Sequence, residues 1–253
     1  FWLKAASSRH PPLHRPPTMI HFVRHAEAVS NAAAHKYPQG SPARNAEYQK
    51  QEYFNAALSG KGKQQAADLA GHLARVLKDS ELGEGGPRQN FLVVSTLQRT
   101  LDTASIGLAG REQSFTWIAS DSIREWAEGE SHPCDYRGSL KEDDVSSRYP
   151  WIDFSACEDE DPIKPDEPLD SVRARITAFV TLLRSEAMKD AERVVVVTHS
   201  AFLSELWSGV LKNEEEMRFS NCQVRSVEFR DFMEKVEACP WFQKHQYFEE
   251  DGA

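Results

Sequence analysis

The chain has 253 residues, of which 40% are hydrophobic and 27% are charged, the composition of an ordinary globular protein with a sizeable core. Its 30 basic and 39 acidic side chains give a net charge of −9, which argues against a protein that grips nucleic acid or an anionic membrane surface. No run of 18 or more apolar residues is present, and the four cysteines form no C-x-x-C pair. We therefore expect no membrane span, no disulfide scaffold and a reducing, cytoplasmic location.

The first 18 residues differ in composition from the rest of the chain. They hold four prolines and several basic side chains, with no acidic residue. Because prolines oppose a regular helix, we expect residues 1–18 to be a disordered leader. No internal repeat and no linker between two cores follows, so residues 19–253 are predicted to form a single domain.

Apolar patterning predicts strands that alternate with helices. Apolar residues recur at helical spacing over residues 66–77 and again over residues 169–183. A late strand, antiparallel at a sheet edge, is expected over residues 223–230. Three short, continuously apolar runs predict buried strands: residues 19–23, 91–94 and 194–197. The fold class that follows is α/β, a three-layer α/β/α sandwich around a largely parallel sheet.

Charged side chains come directly after the three predicted strands. Arg24-His25 follows the first strand, Arg99 lies just after the second and His199 follows the third. Since the carboxyl ends of parallel strands meet at one edge of a sheet, two imidazoles and two guanidinium groups should converge there. The planar guanidinium group of arginine can donate two parallel hydrogen bonds to phosphoryl oxygens. A neutral histidine can attack phosphorus if its other ring nitrogen is fixed by a hydrogen bond. The pattern predicts an anion site for phosphoryl chemistry.

Four motifs in chain order carry a family resemblance: Val-Arg-His-Ala-Glu at residues 23–27, with Asn31 soon after; Leu-Ser-Gly-Lys-Gly-Lys-Gln-Gln-Ala at residues 58–66; Ser-Thr-Leu-Gln-Arg-Thr at residues 95–100; and Val-Thr-His-Ser at residues 197–200. Together they resemble branch 1 of the histidine phosphatase superfamily, whose members include the cofactor-dependent phosphoglycerate mutases. Residues 134–139 are similar to a segment of fungal and microbial members. The resemblance implies a phosphoglycerate-mutase-like fold.

The resemblance assigns His25 as the nucleophile that becomes phosphorylated. It places Arg24, Arg99 and His199 around the phosphate, with His199 as a further catalytic group and Asn31 as a further contact.

The family's proton donor is an acidic residue after a strand. Glu125, which follows Ser122-Ile123-Arg124, matches that context best, while Glu128 and Glu130 are close enough in sequence to compete.

Two departures from the family pattern bear on activity. The family's glycine after the nucleophile is Ala26 here, and a methyl group there would shift the turn slightly. Residues 31–55 lack the basic cluster that a mutase uses to clamp its substrate, since only Lys36, Arg44 and Lys50 are available. We therefore expect a phosphomonoester hydrolase that acts on a small phosphorylated metabolite through a phosphohistidine. The alternatives are mutase-type phosphoryl transfer and a non-catalytic phospho-ligand binder.

No metal or cofactor is expected. His25-Ala26-Glu27 has the H-x-E form of a zinc deaminase, but the required second cysteine position after Pro133-Cys134 is Arg137. No H-E-x-x-H pattern occurs either. The predicted partner is a small-molecule phosphomonoester, without nucleic acid or membrane. Substrate identity and oligomeric state stay open.

An acidic segment lies between residues 141 and 167, where ten acidic side chains accompany three basic ones. Such a charge run with several prolines predicts a solvated surface insertion. Its apolar side chains are expected to pin it to the body: Tyr149, Trp151, Ile152 and Phe154.

Overall fold

The computed structural model describes residues 18–77, 89–126, 132–163, 166–188, 191–215 and 217–243. Except for Thr18, the predicted leader lies outside the described residues, and so do Glu128 and Glu130. Thr18 is tied to the fold, because its hydroxyl donates a 2.7 Å hydrogen bond to the carbonyl of Ala191.

A six-stranded sheet with strand order β4-β3-β2-β5-β1-β6 forms the centre of the molecule. All neighbouring strands are parallel except β6, which runs antiparallel to β1 at one edge. The predicted largely parallel sheet and its closing edge strand are therefore confirmed. The strands are β1 (Met19–Arg24), β2 (Gln89–Ser95), β3 (Thr116–Ser120), β4 (Ile152–Asp153), β5 (Ala191–Thr198) and β6 (Val224–Glu228).

Helices connect these strands, and the two that were predicted from periodicity are present as α3 and α6. The described helices are α1 (Val29–Ala34), α2 (Pro42–Tyr48), α3 (Gly60–Val76), α4 (Gln98–Gly107), α5 (Val145–Arg148), α6 (Leu169–Leu183), α7 (Ser200–Glu205) and α8 (Phe229–Glu237). Helix α7 continues as a π-helical turn, Leu206–Val210. Among the described helices, none is both long enough and apolar enough to cross a membrane.

Alternate residues of the central strands enter two separate cores. In β5, Val194 and Val196 pack with α6, α7 and α8, whereas Val195 and Val197 pack with α3 and α4. Because successive side chains of a strand point to opposite faces, a strand buried on both sides is apolar throughout. This arrangement confirms the predicted three-layer sandwich.

Sequence patterning missed β3 and β4. Strand β3 mixes polar and apolar residues and shows only partial burial, and β4 has two residues that pair with Trp117 and Ile118. Short strands near a sheet edge carry too few apolar residues for periodicity to reveal them.

Helix α3 approaches the turn after β1 very closely at Gly62. A Cβ atom added to Gly62 would lie 2.0 Å from the carbonyl oxygen of Glu27. The Glu27 side chain in turn accepts a 2.8 Å hydrogen bond from the hydroxyl of Ser59, the residue that caps α3. Glycine at this position thus lets the helix fix the chain that leaves β1.

The apolar residues of the acidic segment anchor it as predicted. Tyr149 and Ile152 are buried, and the Tyr149 hydroxyl donates a 2.6 Å hydrogen bond to Oδ1 of Asp102 on α4. Phe154 packs against the same core, and the Trp151 ring meets Trp117 edge to face.

The prediction that most of the acidic segment is a solvated surface insertion does not extend to Asp161. Glu158 and Glu160 do have exposed side chains. Asp161 instead accepts two hydrogen bonds of 2.9 Å from the fully buried guanidinium of Arg124. Arg137 donates to the backbone carbonyls of residues 158, 159 and 160. The segment folds back because buried arginines need acceptors, which a count of charges along the chain does not reveal.

Candidate active site

His25 lies at the carboxyl end of β1, where its backbone N–H donates to the carbonyl of Thr198 in β5 at 2.9 Å. Its ring is buried, with Nδ1 2.6 Å from the carbonyl oxygen of Ala26 and Nε2 3.2 Å from Nε of Arg99. A guanidinium nitrogen can only donate, so Nε2 is the acceptor and the ring proton is on Nδ1. The free electron pair of His25 therefore resides on Nε2, the nitrogen that faces Arg99.

The surroundings keep this imidazole uncharged. Burial, followed by the positive charges of Arg99 and Arg24, holds the pKa of His25 well below its usual value of 6.5. A neutral imidazole is the nucleophilic form, so the electrostatics and the hydrogen bonds favour the same state.

His199 lies beside His25 at the end of β5, with ring centroids 5.1 Å apart. Its Nε2 is 2.7 Å from the hydroxyl oxygen of Ser95 at the end of β2. Its Nδ1 is buried and has no hydrogen-bond partner among the described residues. Burial, together with the positive charge of Arg99, lowers the pKa of His199 as well.

Arg24 forms no ion pair with a carboxylate among the described residues. Its Nη1 donates a 2.6 Å hydrogen bond to the carbonyl of Phe219. Its Nε is buried without a hydrogen-bond partner in the described part of the chain. A half-buried guanidinium bonded to a carbonyl rather than a carboxylate keeps its full positive charge for an incoming anion.

Arg99 is held from the opposite side. Its Nη1 donates to the carbonyl of Cys134, and its Nη2 is 2.9 Å from Oδ1 of Asp135. With Nε directed at His25, the plane of the guanidinium is fixed by three different partners.

Glu125 completes the group from a turn that follows β3. Its Oε1 accepts hydrogen bonds from the backbone N–H groups of Ala201 at 2.9 Å and Phe202 at 3.2 Å, in the first turn of α7. One ligand atom each of Glu125, His25 and His199 lies within 4.8 Å of the other two. Burial, and next the negative charge of Asp135, raise the pKa of Glu125 above its usual value of 4.5. These effects favour the protonated, proton-donating form of the carboxyl group.

The model of the histidine phosphatase superfamily, branch 1, matches residues 20–239. The chain belongs to this superfamily. A phosphoglycerate mutase-like protein of Arabidopsis thaliana is 30% identical to this chain over 254 residues, covering 85% of each chain. A second such protein of the same plant, phosphoglycerate mutase-like protein 2, is 29% identical over 276 residues, covering 85% of this chain and 74% of its own.

Among solved structures, a phosphoglycerate mutase of Bacillus anthracis resembles this chain with a TM-score of 0.53 and 18% sequence identity. The match covers 85% of this chain and 88% of the mutase chain. At this identity the likeness concerns the fold. It confirms the phosphoglycerate-mutase-like architecture that the four motifs implied.

The structure brings most of the predicted site residues together. We call the following five residues the anion pocket: Arg24, His25, Arg99, Glu125 and His199. Asn31 instead forms hydrogen bonds with nearby protein groups. Its Oδ1 accepts a 3.1 Å hydrogen bond from the backbone N–H of Ala28, and its Nδ2 donates to the Tyr48 hydroxyl at 3.3 Å. A contact between Asn31 and phosphate stays a prediction.

Ala26, which replaces the family's glycine, fits without strain. It is fully buried, and it is not among the residues with positive φ. Its N–H donates a 2.9 Å hydrogen bond to Oγ1 of Thr103 on α4, and its carbonyl accepts from His25. The methyl group leaves the hydrogen bonds of the His25 turn intact.

Sequence reasoning missed the turn before β6, which supports the turn after β1. Asn221 Nδ2 donates a 2.9 Å hydrogen bond to the carbonyl of His25, and the Cys222 N–H donates to the carbonyl of Arg24 at 3.0 Å. Cys222 has φ +57°, a left-handed conformation that a non-glycine residue adopts at some cost. The one local signal was an Asn in a short polar turn ahead of the closing strand.

The charge of the anion pocket favours an anion over a cation. Three potential metal ligands, His25, Glu125 and His199, do lie near one another. Both Arg24 and Arg99 act on the same groups, lowering the pKa of His25 and opposing the rise in the pKa of Glu125. Two fixed guanidinium charges repel a divalent ion and attract a phosphate. That the protein uses no metal stays a prediction.

Proposed function

We propose that this histidine phosphatase hydrolyses small phosphomonoesters through a phosphohistidine on His25. The observation that carries the proposal is the arrangement of the His25 ring. Its Nδ1 is held by the Ala26 carbonyl, and its Nε2 presents an electron pair to a pocket that contains two arginines, a second histidine and a carboxyl group. This is the set of groups that nucleophilic phosphoryl transfer requires.

In the first step, the Arg99 N–H moves from Nε2 of His25 to a phosphoryl oxygen, Nε2 attacks phosphorus, and the bond from phosphorus to the ester oxygen breaks. Glu125 in its acid form transfers its proton to the departing oxygen, so the alcohol leaves neutral. Arg24, Arg99 and His199 stabilise the charge on the phosphoryl oxygens. Within the anion pocket, the buried Nε of Arg24 is a donor that has no protein partner among the described residues, and the buried Nδ1 of His199 has none there either.

In the second step, water attacks the phosphohistidine and gives a proton to the Glu125 carboxylate. The bond between Nε2 and phosphorus breaks, inorganic phosphate leaves, and His25 and Glu125 return to their starting states. One water is consumed, and no redox partner or cofactor is needed.

The scarcity of basic residues in residues 31–55 supports hydrolysis over mutase chemistry. This stretch holds three basic side chains, Lys36, Arg44 and Lys50, and Lys50 is paired with Glu47 at 2.8 Å. A mutase must hold a phosphorylated sugar acid while returning the phosphoryl group to it, which calls for free cationic groups over the pocket. Three basic side chains, one of them already paired with a carboxylate, serve that purpose poorly.

The test is a panel of phosphorylated sugars, glycolytic intermediates and phosphopeptides incubated with the purified protein. We expect release of inorganic phosphate from small monoesters, negligible interconversion of 2- and 3-phosphoglycerate, and full activity after exhaustive chelation. Efficient interconversion with little phosphate release would assign a mutase instead. Binding of phosphate esters without turnover would assign a phospho-ligand binder, and a strict need for added divalent metal would contradict the proposed mechanism.

A further inference from the structure

Asp135 occupies a position that the reaction above does not use. It lies in a 3₁₀ turn, Pro133–Asp135, and its side chain is largely buried. Its Oδ1 is 2.9 Å from Nη2 of Arg99. The carbonyl of the preceding Cys134 accepts from Nη1 of the same guanidinium. One short turn therefore contacts both terminal nitrogens of Arg99.

The turn itself is fixed from behind. Arg124, which is fully buried, donates a 2.6 Å hydrogen bond from Nη2 to the backbone carbonyl of Asp135. The same guanidinium makes the two 2.9 Å bonds to Asp161. A continuous chain of charged hydrogen bonds thus leads from the acidic segment through Asp135 and Arg99 to Nε2 of His25.

We propose that Asp135 is a positioning residue that orients the Arg99 guanidinium toward Nε2 of His25, where it meets the phosphoryl group. The inference rests on the proposed function. Arginine has several rotatable bonds, so a guanidinium held from one side loses little entropy when substrate arrives. A fixed donor also avoids reorganisation when charge develops on the phosphoryl oxygens.

Two observations separate this role from that of a second acid. The Asp135 carboxylate is already engaged by Arg99, whereas Glu125 receives only backbone N–H donors. The negative charge of Asp135 also raises the pKa of Glu125, second only to burial, while Arg99 and Arg24 oppose that rise. Asp135 thus favours the acid form of its neighbour and the correct orientation of the arginine, without itself touching the reacting atoms.

A double-mutant cycle with Asp135→Ala and Arg99→Ala tests the inference, with 4-nitrophenyl phosphate and an alkyl phosphate as substrates. We expect Asp135→Ala to lower kcat/KM about 10²-fold for both substrates, because the arginine acts on the phosphoryl group that they share. In the Arg99→Ala background the same change should cost less than about two-fold with 4-nitrophenyl phosphate, since the group that Asp135 positions is already gone and this substrate does not need the Glu125 proton. Equal losses in both backgrounds would overturn the inference.

A matched control is Glu205→Gln, which disrupts another partly buried ion pair outside the anion pocket. In that pair, Nε of Arg173 lies 3.1 Å from Oε1 of Glu205. It should leave kcat/KM within about two-fold of wild type while showing what the loss of such a pair does to stability. If Asp135→Ala does not fold, as judged by circular dichroism, Asp135→Asn replaces it in the cycle. Asparagine keeps the shape of the side chain and one acceptor oxygen, so we expect kcat/KM to fall by only about 10-fold. In the Arg99→Ala background, Asp135→Asn should not lower kcat/KM further.

The affinity for orthovanadate, measured by calorimetry, separates this inference from the proposed function. If the wild type hydrolyses phosphomonoesters but the losses in kcat/KM of the two variants are additive, the positioning role of Asp135 is rejected and the proposed function is not. A wild type that hydrolyses no monoester would reject the proposed function. In that case the double-mutant cycle is measured with the affinity for orthovanadate instead of kcat/KM. We expect Asp135→Ala to weaken orthovanadate binding only when Arg99 is present. Additive losses of affinity would again reject the positioning role.

Discussion

Two groups of arginines lie near the carboxyl ends of the strands, and they differ in what neutralises them. Arg124 and Arg137 are buried among acceptors. We call these two arginines with Asp121 and Asp161 the arginine–carboxylate cluster. In the anion pocket, by contrast, Arg24 bonds to a backbone carbonyl, and its Nε is buried without a partner within the described residues.

The difference shows how one kind of side chain serves two purposes. Burying a charge is costly, and a carboxylate partner with good geometry offsets that cost. In the arginine–carboxylate cluster the protein supplies the anions, so the arginines hold the acidic segment in place. In the anion pocket the compensation is incomplete, and we expect a phosphoryl group to complete it. Asp135 links the two groups, since it contacts Arg99 by its side chain and Arg124 by its backbone.

The sharpest test of the anion pocket is His25→Ala. Because the attacking nitrogen is lost, we expect kcat to fall at least ~10⁴-fold. The acid-labile, base-stable label left by an isotopically phosphorylated substrate should also disappear. His72→Ala, a change on α3 outside the pocket, is the control and should retain both signals. Near-normal turnover by His25→Ala would end the proposed mechanism.

The arginine–carboxylate cluster is tested through stability. Asp161→Asn removes the carboxylate that accepts both 2.9 Å hydrogen bonds from the buried Arg124 and leaves that guanidinium only Asp121, at 3.7 Å. The free energy of unfolding should therefore fall by about 3 kcal/mol. Arg24→Gln removes a charge that the protein does not compensate, and should change that free energy by less than about 1 kcal/mol while lowering activity on all phosphomonoesters alike. Urea denaturation of both variants measures the contrast. Similar destabilisation by the two changes would contradict the distinction between the groups.

The role of Glu125 as the proton donor is tested by comparing substrates with different leaving groups. An alkoxide needs a proton as the ester bond breaks, whereas a nitrophenolate leaves without one. Glu125→Gln should therefore slow alkyl phosphate hydrolysis by ~10²-fold or more and affect nitrophenyl phosphate far less. If Glu125→Gln affects both substrates equally while Glu128→Gln shows the leaving-group dependence, the acid is Glu128.

The pH dependence of kcat/KM for an alkyl phosphate gives the smallest effect. His25 must be neutral, and its pKa lies well below 6.5, so activity should rise with pH only in the acidic range and be complete before neutrality. Glu125 must be protonated, and its pKa is raised above 4.5, so activity should fall as pH rises through that raised value. The Glu125→Gln variant should lose the falling limb. A limb that persists in this variant would place the titrating acid elsewhere.

Much of the site could be predicted because its residues follow strands. Three strands are apolar enough for each to be predicted from its own sequence: Met19–Arg24, Gln89–Ser95 and Ala191–Thr198. The carboxyl ends of these strands must meet in a parallel sheet. Arg24, His25, Arg99 and His199 could thus be placed together before the fold was known. Local sequence is sufficient when a residue's position depends only on the strand that carries it.

The pairing of these groups could not be read from the chain. Asp135 meets Arg99 across 36 positions, Asp161 meets Arg124 across 37, and Asn221 reaches the carbonyl of His25 across 196. Such contacts depend on how distant turns return to one edge of the sheet, and hydrophobic periodicity carries no information about that return. The sequence by itself therefore determined which groups are available for the chemistry. Only the tertiary structure decided which arginines are neutralised by the protein and which keep their charge for a ligand, because compensation is a matter of distance and burial.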